Sequence, residues 1–201
     1  MESAMWRLNN QSHITKDRVQ DLRDFKSNTV NFKLALWNPA TNGVRYLKTL
    51  TYVLASALTP AHWQRIAKVK NRHVGSPITV RYNDEDICLD YLQAVYELEF
   101  MEHNMNIDGS TILEIGAGYG RTCHMLMSNH DVDRYCIVDL RNCLTLAERY
   151  LKTVLDDETF SKIDFILAGE FSSFQESNVD LSININSFAE MDVWVVQMYL
   201  D

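Results

Sequence analysis

The sequence predicts an α/β fold in which a parallel sheet is packed with helices and preceded by a helical extension. Three observations predict it. After Ser110, short apolar runs at 111–115, 135–138, 163–167 and 180–186 alternate with helix-length stretches at 121–129, 140–155 and 189–200. That alternation implies right-handed crossovers between parallel strands. The first run ends in a glycine-rich turn, Glu114-Ile115-Gly116-Ala117-Gly118-Tyr119-Gly120, which opens into a helix. The residues before Ser110 show helical spacing and no comparable runs. The chain is therefore read as an N-terminal helical extension, 1–109, and a sheet domain, 110–201.

Within the extension, residues 14–25 read as a short surface helix. Residues 38–43 (Asn-Pro-Ala-Thr-Asn-Gly) form a turn cluster. Residues 46–58 read as a mostly apolar helix. Thr59-Pro60 then restarts the chain, a capping threonine followed by proline at the first helical position. The helix it opens runs to about Lys70 and turns Trp63 and Ile66 inward. Gly75-Ser76-Pro77 breaks the chain again, and acidic residues 84–86 lead into another helix. There Cys88, Tyr91, Leu92, Val95 and Leu98 fall on one face.

In the sheet domain, the second strand ends at Asp139 in Tyr-Cys-Ile-Val-Asp-Leu. The helix after it places Leu140, Leu144, Ala147, Leu151, Val154 and Leu155 on one side. Ala168-Gly169-Glu170-Phe171 follows the third strand, and Asn186 to Glu190 follow the fourth.

Composition narrows the function classes. Apolar residues make up 46% of the 201, with only 7 glycines and 3 prolines, so a folded core is expected. The net charge is −8. A field of that sign repels phosphate backbones and argues against nucleic acid. The densest basic cluster, Arg65, Lys68, Lys70 and Arg72, reads as the solvated face of one helix. The four cysteines form no C-x-x-C pair and read as small core residues. The six histidines show no ligand spacing, so no metal site is assigned. No apolar run suits a signal peptide, and the best bilayer candidate, 47–58, is short and interrupted by Lys48. A cytoplasmic protein without a membrane partner is expected.

The glycine turn carries the main chemical signal. A strand-to-helix turn needs glycine so that the backbone can bend tightly and approach a ligand. The helix that follows directs free N–H groups at that ligand. Dinucleotide folds space these glycines as G-x-G-x-x-G. Here they stand at 116, 118 and 120, and Arg121 follows. This E-x-G-x-G-x-G spacing resembles class I S-adenosylmethionine-dependent methyltransferases, Rossmann-like proteins, more than nicotinamide-dependent oxidoreductases.

The resemblance implies that the turn cradles the methionine part of S-adenosylmethionine, with Glu114 helping to hold its amino group. It implies that Asp139, nineteen residues past Gly120, accepts hydrogen bonds from the ribose hydroxyls beside Leu140. Gly169 and Glu170 would lie near the adenine, and Phe171 either stacks on it or fills core. Three stretches (112–122, 135–140 and 185–191) further resemble a sugar O-methyltransferase group, over roughly 74–200. That narrower likeness implies a small sugar-like acceptor positioned by Asn186 and Ser187, with Glu190 as the base. The plain alternative for Glu190 is an acid at a helix start, and His103 is a second candidate base. The family's sheet has seven strands and this chain supplies four. The expectation is a C-terminally truncated form, or a second copy of the chain covering the open fourth strand. With the later strands absent, cofactor binding is expected more firmly than turnover, and a non-catalytic cofactor-binding module is the alternative.

Overall fold

The computed structural model describes residues 2–28, 30, 42–173 and 178–200. Residues 38–41 of the expected turn cluster lie outside these. The chain opens with α1, Ala4–Ser12, where the Ser3 side chain accepts from the Trp6 N–H and caps the first turn. The helix expected at 14–25 is not there. One 3-10 turn, Arg18–Gln20, interrupts an irregular strap. Its buried positions are Ile14, Val19, Phe25 and Lys26. Long-range contacts fix it instead. Asn142 Nδ2 donates to the Ile14 carbonyl at 2.7 Å, and the Lys26 N–H donates to the Gly75 carbonyl at 3.0 Å.

Helix α2, Gly43–Ser56, buries Leu47, Thr51 and Ala55, one per turn. Helix α3, Pro60–Lys68, starts with a reciprocal cap. Thr59 Oγ1 accepts from the His62 N–H, and His62 Nδ1 accepts from the Thr59 N–H. Thr59→Ala is expected to cost about 1 kcal/mol in urea denaturation and Thr59→Ser only a few tenths. An equal loss from both would sink the capping role. The acidic stretch at 84–86 does precede a helix, and it also forms the turn and far strand of a hairpin not predicted from the sequence. Strands β1, Val80–Tyr82, and β2, Glu85–Ile87, pair antiparallel. They join through Asn83 and Asp84 at φ of 49° and 62°, the paired left-handed residues of a tight hairpin turn. Helix α4, Leu89–Asn104, then buries Tyr91, Leu92, Val95, Leu98 and Met101.

The sheet domain follows its predicted order. It comprises β3 (Thr111–Ile115), α5 (Arg121–Asn129), β4 (Arg134–Asp139), α6 (Arg141–Val154), the single turn α7 (Asp157–Phe160), β5 (Ile163–Leu167), β6 (Leu181–Ile183) and α8 (Val193–Leu200). The four long-range strands lie in the order β5-β4-β3-β6, all parallel. This is a Rossmann-like α/β sheet. Among the described residues β6 pairs only with β3 and is shorter than the predicted 180–186. Asn184 Nδ2 replaces a ladder bond by donating to the Ile115 carbonyl at 2.7 Å. The last helix is also shorter than predicted, because Ser187–Glu190 forms a separate 3-10 turn.

Two cores flank the sheet. Ile112, Tyr135 and Ile137 face the larger one, which continues into the strap and α4. Leu113, Ile115, Cys136 and Val138 face a smaller one with Phe171, Phe188 and Tyr199. All four cysteines are buried thiols outside any disulfide. Among the described residues no helix is long and apolar enough to cross a membrane.

Candidate functional site

Chain direction reverses its walk across the sheet at β3, with β4 on one side and β6 on the other. Open α/β sheets bind ligands at the carboxyl ends of the strands beside such a reversal. A cleft of about 260 Å³ lies there, lined by residues following β3, β4, β5 and β6 and by the start of α1.

The glycine turn forms its floor. Gly116 and Gly118 both have positive φ, 80° and 61°, where a side chain is strained. A Cβ on Gly116 would stand 2.0 Å from Ser187 Oγ, so the turn after β6 sits directly on it. A Cβ on Gly118 would meet nothing within 4 Å, and Gly118 lines the cleft. Its bare backbone is where a ligand can approach. Gly120 begins α5 at φ 87°, leaving the free N–H groups of that helix at the same end.

Asp139 closes β4 beside this turn. Its Oδ2 accepts from the Gly118 N–H at 2.9 Å and its Oδ1 from the Leu140 N–H at 2.7 Å. Burial pushes its carboxyl up to about 6, against the lowering effect of those bonds. The Cys143 thiol also bonds to this carboxylate, which keeps acceptor capacity for a further donor. Ala117, Tyr119 and Leu140 also line the cleft.

Glu114 does not line it. On β3 it shares the face of Ile112, and its carboxyl is buried beneath the turn, accepting from Tyr135 Oη at 2.9 Å. Burial raises it to about 7. The resemblance places this acid against a ligand amino group; in the structure its carboxyl accepts from Tyr135 and is absent from the residues that line the cleft. Gly169 and Glu170 lie exposed on a 3-10 turn, and among its described residues Ala168 alone lines the cleft. The Phe171 ring packs 4.8 Å from that of Tyr199 in the smaller core.

Asn186, Ser187 and Glu190 all line the cleft, on the turn that follows β6 and sits on Gly116. Asn186 takes φ 66°, turning the chain sharply after β6. Glu190 Oε2 accepts from Trp6 Nε1 at 2.9 Å, and burial raises its carboxyl. His103 is exposed on α4, bonded to the Glu99 carbonyl, and takes no part. Arg121 sits on the cleft wall with Nη2 donating to both Glu97 oxygens at 2.9 and 2.8 Å.

Several lining residues escape sequence reasoning, Trp6 and Asp90 among them. Trp6 reaches the cleft from 184 positions away. Asp90 looks like an ordinary acid in the first turn of α4, yet its Oδ2 accepts from Tyr119 Oη at 2.9 Å on the cleft wall. The lining thus carries five carboxylates, from Glu2, Asp90, Asp139, Glu190 and Asp192, and one guanidinium. Among the described residues no cluster of three or more His, Cys, Asp or Glu side chains could hold a metal ion.

No family model matches the chain, and no curated protein matches it. Solved structures do. Protein 1320 of Thermoplasma acidophilum aligns with a TM-score of 0.46 and 14% identity, over 71% of this chain and 64% of that one. YjhP of E. coli aligns at 0.40 and 15%, over 70% and 50%. An O-methyltransferase from Bacillus cereus, in complex with SAH, aligns at 0.41 and 12%, over 77% and 69%. The chain spans less than two thirds of the first two. Strand order and parallel register, rather than these distant likenesses, establish the fold.

Proposed function

We propose that the cleft binds S-adenosylmethionine and that the chain transfers its methyl group to a hydroxyl of a small, sugar-like acceptor. The observation that carries this reading is the pairing of an open glycine backbone at Gly118 with the Asp139 carboxylate 2.9 Å from its N–H. The fit is chemical. Asp139 lines the cleft with a carboxylate that can accept from the ribose, the start of α5 suits the cofactor's carboxylate, and the acidic lining suits a cation. When bound, the cofactor supplies an electrophilic methyl on a sulfonium, so the protein has to align the acceptor and take its proton. Glu190 is the base in this reading, receiving the hydroxyl proton on a carboxylate oxygen. Its raised pKa is the direction a base needs. Asn186 and Ser187 orient the acceptor beside it. The same carboxylates keep polyanionic acceptors out.

Calorimetric titration tests the cofactor. Saturable binding of S-adenosylmethionine is expected, weakened about tenfold or more by Asp139→Ala, with no comparable binding of NADH. A folded wild type that ignores S-adenosylmethionine, or prefers NADH, would overturn the reading. Release of S-adenosylhomocysteine across a panel of sugars tests the acceptor. Glu190→Gln should lower that turnover about a hundredfold or more while leaving cofactor affinity unchanged.

A further inference from the structure

The most unusual buried group in the protein is Lys26, on the strap, at 1% exposure. Its Nζ donates to Tyr150 Oη at 2.9 Å and to the Arg72 carbonyl at 3.3 Å. Four rings surround it, with centroids at 4.3 Å for Tyr150, 5.0 Å for Tyr119, 5.3 Å for Tyr91 and 5.6 Å for Phe25. The rings brace one another edge to face, Phe25 on Tyr119 at 5.2 Å and Tyr119 on Tyr150 at 5.1 Å. Burying an ammonium is costly, and an apolar side chain of the same volume would fill the space more cheaply. Ring quadrupoles and the two hydrogen bonds offset that cost only in this geometry.

One wall of the cage belongs to the glycine turn. Tyr119 stands between two positive-φ glycines, so its ring contacts fix its place. Its hydroxyl donates to Asp90 Oδ2 at 2.9 Å, and Asp90 lines the cleft beside Gly116 and Gly118. Glu114, the other acid near the turn, lies beneath it and outside the cleft.

We propose that Lys26 is a positioning residue for the amino-acid end of the ligand: the caged cation holds Tyr119, and Tyr119 holds the Asp90 carboxylate where it receives the ligand's ammonium. This rests on the reading of the cleft as an S-adenosylmethionine site. The test compares S-adenosylmethionine with 5′-methylthioadenosine, which lacks the amino-acid end and has a neutral thioether in place of the sulfonium, and with S-adenosylhomocysteine, a neutral thioether that keeps the amino-acid end and should follow S-adenosylmethionine. All three are titrated into the wild type, Lys26→Met, Tyr119→Phe and Asp90→Asn, with thermal midpoints measured alongside. S-adenosylmethionine should bind about tenfold more weakly to each variant, while methylthioadenosine affinity changes by less than about twofold. A general loss of structure would move all three ligands together, and that result overturns the proposal. So does a variant set with unchanged S-adenosylmethionine affinity. If Lys26→Met does not fold, Lys26→Gln decides, since it keeps a donor for Tyr150 Oη and removes the charge, while Tyr119→Phe tests the bond to Asp90. A folded wild type that binds none of these ligands overturns the cofactor reading itself, an outcome distinct from normal binding that Lys26 does not influence.

Discussion

Replacing Gly116 by alanine is expected to abolish ligand binding and to remove about 3 kcal/mol of stability, the sum of a left-handed backbone penalty and a steric clash. The backbone φ of 80° is strained for any side chain. The new methyl would also stand 2.0 Å from Ser187 Oγ and 2.3 Å from Ser187 Cβ. Rotating the hydroxyl relieves the first contact and not the second. The 3-10 turn Ser187–Glu190 must therefore back away, and it carries Glu190 with it. Gly118→Ala provides the contrast. Its φ of 61° brings a similar backbone penalty of about 1 kcal/mol, yet its methyl meets nothing within 4 Å. That variant should fold nearly as well as the wild type and still lose S-adenosylmethionine, because the methyl occupies the ligand's path. Urea denaturation and calorimetry on both variants make the comparison. Wild-type affinity in Gly116→Ala, or equal destabilisation of the two, would disprove this account of the turn.

That turn was legible in the sequence because its geometry is local. Strands β3 and β5 and helix α5 appear at their predicted bounds, since each is an apolar or amphipathic run ended by turn residues. Asp139 was legible for the same reason, standing at the end of a strand next to the glycines. The β1–β2 hairpin was missed because three-residue strands of mixed polarity show almost no period. Its signal was the Asn83-Asp84 pair, which suits a two-residue turn. The strap was misread as a helix because Ile14, Val19 and Phe25 are placed by partners elsewhere in the chain rather than by local spacing. The cleft wall was illegible in the same way. Asp90 and Tyr119 are 29 positions apart and Trp6 and Glu190 are 184; no pattern along the chain joins them. The position of Glu114 in the pattern suggested a ligand contact, whereas strand alternation puts it on the face of Ile112, opposite Leu113 and Ile115.

Glu114→Gln follows from that placement, and it should stabilise the protein above neutral pH while leaving ligand binding intact. The carboxyl is 2% exposed. Burial raises it from 4.5 to about 7 despite the Tyr135 hydrogen bond. A carboxyl with a raised pKa binds its proton more tightly in the folded state. Its contribution is therefore most favourable below pH 4.5 and is lost as pH rises to about 7, at a cost of up to about 3 kcal/mol. Asp139, raised from 3.8 to about 6, acts in the same direction over a lower range. His124 acts oppositely. Burial lowers it from 6.5 to about 3, so it costs stability as pH falls below 6.5. The wild-type pH profile alone mixes these signs, but the difference between wild type and Glu114→Gln isolates Glu114. Glutamine keeps the shape and an oxygen to accept from Tyr135. Urea denaturation should find the variant more stable by about 1–3 kcal/mol at pH 8, with the advantage shrinking towards pH 5. Its S-adenosylmethionine affinity should match the wild type within about twofold, because the side chain lies outside the cleft. A pH-independent stability difference would refute the linkage, and a large loss of affinity would return Glu114 to the ligand.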